Sequence, residues 1–212
     1  MKYDYLIWDF NGTLLDDVQA GIDSVNTLLA ERGIPTVQSV DKYREVFRFP
    51  IIEYYRALGF DFEKESYEEL APKWVELYLE NVKKADLYED VQKTLEYVRK
   101  SGVKQTVLSA TEKTMLQGQI RELGIEYYFE DILGLDNIHA GSKLSLAKAW
   151  RESHPDAKVL FIGDTDHDLQ TAETLGADCI LVSRGHQARE YLSTLGVPLA
   201  DSLEKIAELV KQ

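Results

Sequence analysis

Cysteine is nearly absent: Cys179 is the only one in 212 residues, so no disulfide can form within the chain, and a reducing compartment fits. It sits in Asp178-Cys179-Ile180-Leu181-Val182, which reads as a buried strand rather than as the setting of a nucleophile. Long apolar runs are missing too. Nowhere do about 18 apolar residues follow one another, and no basic stretch leads into an apolar segment at the start. A soluble, cytoplasmic protein without a membrane partner is expected. Positive charge is scarce, with 24 Lys and Arg against 37 Asp and Glu and a formal net charge of −13. That excess opposes long-range attraction to phosphate polymers, which argues against a nucleic-acid partner. An anionic substrate would have to be drawn by a bound cation and a few local basic groups. Internal repeats and low-complexity segments are also lacking. The 44% hydrophobic composition supports one large core, or a core with a nested insertion.

What is present alternates. Tyr3 to Trp8, Gln105 to Leu108, Val159 to Ile162 and Cys179 to Val182 are short apolar runs that predict buried strands. Between them lie helical spacings: Val91, Leu95 and Val98 before Gly102; Met115, Ile120 and Leu123 before Gly124; Leu144 to Trp150; and Leu169 to Leu175 before Gly176. Strands alternating with helices predict a parallel α/β sheet. From about Val18 to Ala85 the alternation stops and only helical patterns remain. Val18, Ile22, Val25 and Leu29 share one face until Gly33 and Pro35, and shorter segments follow at Val40 to Phe47, Ile51 to Leu58 and Tyr67 to Val82. This stretch is either an inserted helical unit, spanning 17–85 between core segments 1–16 and 86–212, or an extra helical layer on the sheet.

Four strand-end segments carry candidate chemistry, and in a parallel sheet such ends share one crevice. They are Asp9 with Asn11, Gly12 and Thr13; Ser109, with Ala110 and Thr111 opening the next helix; Lys143 in Gly141-Ser142-Lys143; and Gly163-Asp164-Thr165-Asp166-His167-Asp168. Singly, each has a plain alternative. Asp9 or Ser109 could cap a turn or helix, Lys143 could be a solvated surface charge, and His167 reads as an exposed loop residue. A calcium loop at Asp164 to Asp168 is not supported, because the required glycine and distal glutamate do not follow.

Taken in this order, the segments resemble the haloacid dehalogenase superfamily, near its phosphoglycolate phosphatase-like branch with a helical cap. The likeness runs from Ile7 through Ser109, Lys143 and Gly163-Asp164 to Val182-Ser183-Arg184-Gly185-His186, with Leu87 to Val91 resembling the return from cap to core. It implies a Rossmann-like α/β core with a parallel sheet and an inserted all-helical cap. By that resemblance Asp9 would attack phosphorus and form an aspartyl-phosphate. Mg²⁺ would be held by Asp9, the backbone carbonyl of Asn11, Asp164 and Asp168. Ser109 and Lys143 would bind the phosphate, with backbone amides around Gly12, Thr13 and Ala110 assisting and Thr13 mainly fixing the loop. Arg48, between two cap helices, would meet the substrate; Tyr43, Phe47, Tyr54 and Tyr55 read as cap packing. The expected partner is a small phosphorylated metabolite of phosphoglycolate or sugar-phosphate type, and the expected assembly a monomer or homodimer.

Asn11 departs from the pattern. The resemblance places there an aspartic acid that protonates the leaving alcohol and later deprotonates water, help worth about 10²–10⁴-fold in rate. An amide does neither, so slow turnover of alkyl phosphates is expected, with acidic leaving groups less affected. Three alternatives stand beside this. A member without turnover could bind phosphate or a protein partner. A dehalogenase needs no acid at this position, but would leave Asp164 and Asp168 without a purpose. A phosphonatase would need a cap lysine, where Arg48-Phe49-Pro50 offers arginine.

Overall fold

The computed structural model describes residues 2–136 and 143–209. The chain runs β1 (Tyr5–Trp8), α1 (Val18–Glu31), α2 (Val40–Val46), α3 (Ile51–Leu58), α4 (Tyr67–Asn81), α5 (Val91–Ser101), β2 (Lys104–Glu112), α6 (Lys113–Glu122), β3 (Asp131–Leu135) and α7 (Leu144–Ser153). It continues through β4 (Val159–Gly163), α8 (Asp166–Leu175), β5 (Asp178–Val182), α9 (Arg189–Leu192), β6 (Leu199–Ala200) and α10 (Glu204–Leu209). Among the described residues no helix is long and apolar enough to cross a membrane.

The strands form one parallel sheet in the order β3-β2-β1-β4-β5-β6. The expected α/β architecture is therefore present, with two strands beyond the four that apolar runs announce. β3 is a half-covered Asp-Ile-Leu-Gly-Leu segment, and β6 is two residues long; neither carries a continuous apolar stretch. β1 is buried along its whole length because it pairs on both sides, Trp8 lying beside Val107 and Ile162. Its side chains alternate between two cores, Leu6 and Trp8 facing one and Tyr5 and Ile7 the other. The buried indole of Trp8 donates to Gln105 Oε1 (3.1 Å), and the Gln105 amide donates to Leu95 O (3.0 Å), so the polar atoms taken out of water are paired.

All four helices between β1 and α5 pack around a third apolar cluster built on Val18, Ile22, Val25 and Leu29 of α1 with Tyr43, Tyr54, Tyr55, Phe60 and Leu70. Tyr54 and Tyr55 are buried in this cluster. α1 ends where Gly33 takes a left-handed turn (φ 66°). The chain leaves and re-enters the sheet region side by side, through a bridge between Leu15 and Leu87 and a hydrogen bond from Asp16 N to Asp86 O (2.9 Å).

Candidate active site

The strand order reverses direction between β1 and β4, the switch point at which open α/β sheets bind ligands beyond their carboxyl ends. Asp9 leaves β1 there, its N–H donating to Ile162 O of β4 (2.8 Å), and Asp164 leaves β4 directly opposite. Asp9, Asp164 and Asp168 are buried, and one carboxylate oxygen from each lies within 4.8 Å of the others. Lys143, one residue ahead of α7, donates to Asp9 Oδ1 (2.7 Å) and to Asp168 Oδ1. The other Asp168 oxygen accepts from Asp164 N (3.0 Å), Thr165 N (2.9 Å) and Thr165 Oγ1 (2.8 Å), anchoring it at the start of α8. Asp164 accepts from Thr13 Oγ1 (3.3 Å) and His186 N (2.7 Å), which ties the loop after Asp9 to the start of the β4–α8 loop.

Three carboxylates against one ammonium leave this cluster short of positive charge. Burial raises the Asp9 carboxyl well above its usual range, the neighbouring Asp168 adds to this, and Lys143 opposes. Burial likewise lifts Asp164 to about 6, against the pull of His186. Burial works against the Lys143 ammonium, but Asp168 and Asp9 outweigh it and raise its pKa. Hard oxygen donors with surplus negative charge in a buried cleft suit a small divalent cation. Asp9, Asp164 and Asp168 together could hold such an ion.

The loop after Asp9 is held by a second buried carboxylate, Asp17, which the sequence reading left without a role. Asp17 Oδ1 accepts from Gly12 N (2.7 Å) and lies 3.2 Å from His186 Nε2; Oδ2 accepts from Asn11 Nδ2 (3.0 Å) and Tyr78 Oη (2.6 Å). Gly12 has φ 69°, and a side chain there would run into the Asp164 carboxylate and the His186 ring. Burial disfavours the charged forms of both Asp17 and His186, yet their pairing dominates: Asp17 lies below the usual carboxylate range and His186 rises to about 9. Tyr43 Oη lies 2.9 Å from His186 Nδ1, so both ring nitrogens are engaged.

Asn11 is the hub beside this pair. Besides Asp17 its Nδ2 donates to Tyr78 Oη (2.7 Å), while its Oδ1 accepts from Thr111 Oγ1 (2.8 Å) and Ser109 Oγ (3.4 Å). Ala110 and Thr111 do not open a helix, as the sequence suggested. β2 continues through them to Glu112, which pairs with Leu135 of β3 across a register shift after Leu108. Such bulges re-aim side chains beside active sites, and here Ser109 and Thr111 both reach Asn11.

Above the crevice stands the loop between α2 and α3. Phe47 packs over the His186 ring (centroids 5.1 Å, 30°), Phe49 stacks on His167 (4.9 Å, 29°), and the two phenylalanines meet edge to face (5.6 Å, 89°). His167 is therefore no loop residue: it lies in the first turn of α8, half-buried under Phe49. Arg44 donates to Gly185 O (2.8 Å) and Arg184 O. Arg48 is exposed, its Nε on Val46 O of its own loop (3.0 Å), and it does not join the carboxylate cluster. Gly141 and Ser142, which precede Lys143 in the expected motif, lie outside the described residues.

Residues 6–182 match the model of the haloacid dehalogenase-like hydrolases. The chain belongs to that family. Phosphoglycolate phosphatase of Pseudomonas syringae pv. tomato is 25% identical over 189 residues, covering 85% of this chain and 70% of the relative. The tyrosine-protein kinase PtkA of Mycobacterium tuberculosis is 27% identical over 210 residues, covering 96% and 71%. The solved PtkA structure superposes with a TM-score of 0.82 at 24% identity, covering 100% of this chain and 99% of that one. A haloacid dehalogenase-like hydrolase of Streptococcus pneumoniae gives 0.76 at 20% identity, covering 98% and 99%. The resemblance to phosphoglycolate phosphatases and the Rossmann-like core are thus both upheld. Within this haloacid dehalogenase-like chain the sequence reading missed Asp17, Tyr78 and Thr111. The Asp16-Asp17 doublet just before a helix was a usable signal for the first; the other two become visible only once α4 and the tip of β2 are placed against Asn11.

Proposed function

We propose that this hydrolase is a Mg²⁺-dependent phosphatase of small phosphate monoesters that works through an aspartyl-phosphate on Asp9. The observation that carries the reading is the convergence, at the sheet's switch point, of a buried carboxylate nucleophile, two further carboxylates and a lysine ammonium. Supporting it, the curated relatives include phosphoglycolate phosphatases. In this reading Asp9 Oδ forms a bond to phosphorus while the ester oxygen departs, and water then displaces the Asp9 carboxylate to release inorganic phosphate. Ser109 and the Ala110 backbone amide bind the phosphate oxygens, and Lys143 neutralises charge on nucleophile and phosphate; the amides of Gly12 and Thr13, expected to assist, are taken by Asp17 Oδ1 (2.7 Å) and Phe10 O (3.3 Å). Asp9, Asp164, Asp168 and the Asn11 carbonyl would hold Mg²⁺, which supplies charge neutralisation between carboxylate and phosphate. The segment 17–85 acts as a cap that excludes water; Arg48, exposed and bonded to Val46 O of its own loop, is not assigned to the substrate.

The test is phosphate release from acetyl phosphate and small esters with Mg²⁺ and with EDTA. Release should require the metal, and Asp9→Asn should lower kcat by more than about 10⁴-fold while the variant remains folded, with an unfolding midpoint no lower than the parent's. Equal release from Asp9→Asn would remove Asp9 as the nucleophile.

A further inference from the structure

Two independent features of this crevice select for one kind of leaving group. The first is chemical. Asn11 can transfer no proton, and its amide is engaged on Asp17 and Tyr78, with Ser109 and Thr111 on its oxygen. Tyr78 in turn donates its proton to Asp17, so this side of the site offers a departing oxygen no ready acid. An alkoxide leaves poorly without a proton, whereas a phenolate, whose conjugate acid has a pKa of about 10 like tyrosine, leaves as the anion.

The second feature is the shape and chemistry of the roof. Phe47 lies over His186, whose backbone N–H holds Asp164, and Phe49 lies over His167, the residue before Asp168. The two phenylalanines meet edge to face, and Phe47 also packs against Tyr43 and Tyr54. Phe47, Phe49 and His167 are each half-buried. The nearby cations are not poised for a carboxylate or sugar phosphate. Arg44 is committed to the carbonyls of Arg184 and Gly185, and Arg48 is turned to its own loop. Stacked and edge-to-face contacts favour a flat ring over an aliphatic chain.

Resting on the phosphatase reading, we propose that the substrate class is an aryl phosphate ester, its ring packed against Phe47 and Phe49, which are the specificity-determining residues of the cap. The phosphorus–oxygen bond to the ring breaks as the bond from Asp9 Oδ to phosphorus forms. The phenolate leaves with the bonding electron pair and is protonated by solvent. In the second half, water adds to phosphorus, the Asp9–phosphorus bond breaks, and the surplus water proton passes to the departing phosphate, so residue 11 transfers no proton in either half.

The full chain is assayed with Mg²⁺ on phenyl phosphate, 2-phosphoglycolate and acetyl phosphate, whose good leaving group carries no ring. Phenyl phosphate should exceed 2-phosphoglycolate in kcat/KM by at least about 10²-fold. Phe47→Leu and Phe49→Leu should each lower the phenyl-to-acetyl phosphate ratio by about tenfold; because it is a ratio within one sample, a misfolded fraction cancels. Calorimetry with phenylphosphonate and methylphosphonate, which are not turned over, should show a phenyl preference that both variants lose. Equal turnover of phenyl phosphate and 2-phosphoglycolate, or ratios unmoved by both variants, overturns the aryl assignment alone. Release from none of the three, with phenylphosphonate unbound, overturns the phosphatase reading and this assignment with it.

Discussion

At residue 11 an amide and a carboxylate are nearly the same shape, and the difference lies in what the neighbours can accept. Asp17 Oδ2 is an acceptor 3.0 Å from Asn11 Nδ2. An aspartate at 11 would turn an oxygen toward that oxygen, so two buried acceptors would compete for one proton or repel. Asn11 and Asp17 therefore belong together, and the amide is what allows a carboxylate at 17 to hold Gly12 N and pair with His186. Asn11→Asp should lower unfolding stability by about 1–3 kcal/mol, and Asn11→Asp with Asp17→Asn, which exchanges donor and acceptor, should lose less in urea unfolding than the two single variants summed. Losses that simply add would disconnect the two positions. The same single variant regains a group able to move a proton, so its kcat on an alkyl phosphate should rise; an unchanged rate would mean that residue 11 does not limit the step.

At the level of elements, the Asp17–His186 pair joins the start of α1 to the loop after β5, and Tyr43 of α2 closes the same contact. The pair is buried, so its strength follows pH. His186 is raised in the fold from 6.5 to about 9. Its contribution is therefore fully present below pH 6.5 and fades as pH rises through about 9, and at about 1.4 kcal/mol per pH unit it amounts to at most about 3 kcal/mol. Asp17 is lowered, so its share is present above the usual carboxylate range and is lost only in acid. In EDTA the unfolding temperature should fall between pH 6.5 and 9, and Asp17→Asn should flatten that fall; an identical slope in the variant would place the pH dependence elsewhere. Little of this contact was legible in the sequence. Periodicity set the helices and the apolar runs set four strands, because each of those signals is local. The tip of β2, the short β6 and the half-covered β3 depend on strand partners, and Asp17, Tyr78 and Thr111 depend on α1, α4 and β2 meeting at Asn11. Asp9, Ser109, Lys143, Asp164 and Asp168 stood out in the sequence because each closely follows an apolar run or adjoins the start of a helical pattern.

For the whole molecule, a net charge of −13 surrounds a buried cluster that is itself short of positive charge. Asp9 and Asp164 both carry folded pKa values above their usual ones, Asp164 at about 6. Ionising groups shifted upward in this way costs stability, and for Asp164 that cost sets in as pH rises from the usual carboxylate range through about 6 and remains above it. Mg²⁺ bound there would remove that burden, and at lower pH protons would compete with it for the same oxygens. The metal should therefore stabilise the fold more at pH 7.5 than at pH 5. At a concentration a hundredfold above Kd the gain is about 2.7 kcal/mol, and a chain of this size gains about 2–4 °C in Tm for each kcal/mol. Asp164→Asn takes away one charged ligand and one source of repulsion together, so the variant should unfold at a higher temperature than the parent in EDTA and gain little from Mg²⁺. Because the cluster is buried, 0.5 M NaCl should leave the difference between variant and parent nearly unchanged, whereas a surface charge effect would be screened within a few ångströms. A Mg²⁺ gain that is equal at both pH values, or is retained by Asp164→Asn, would place the ion outside the switch-point carboxylates.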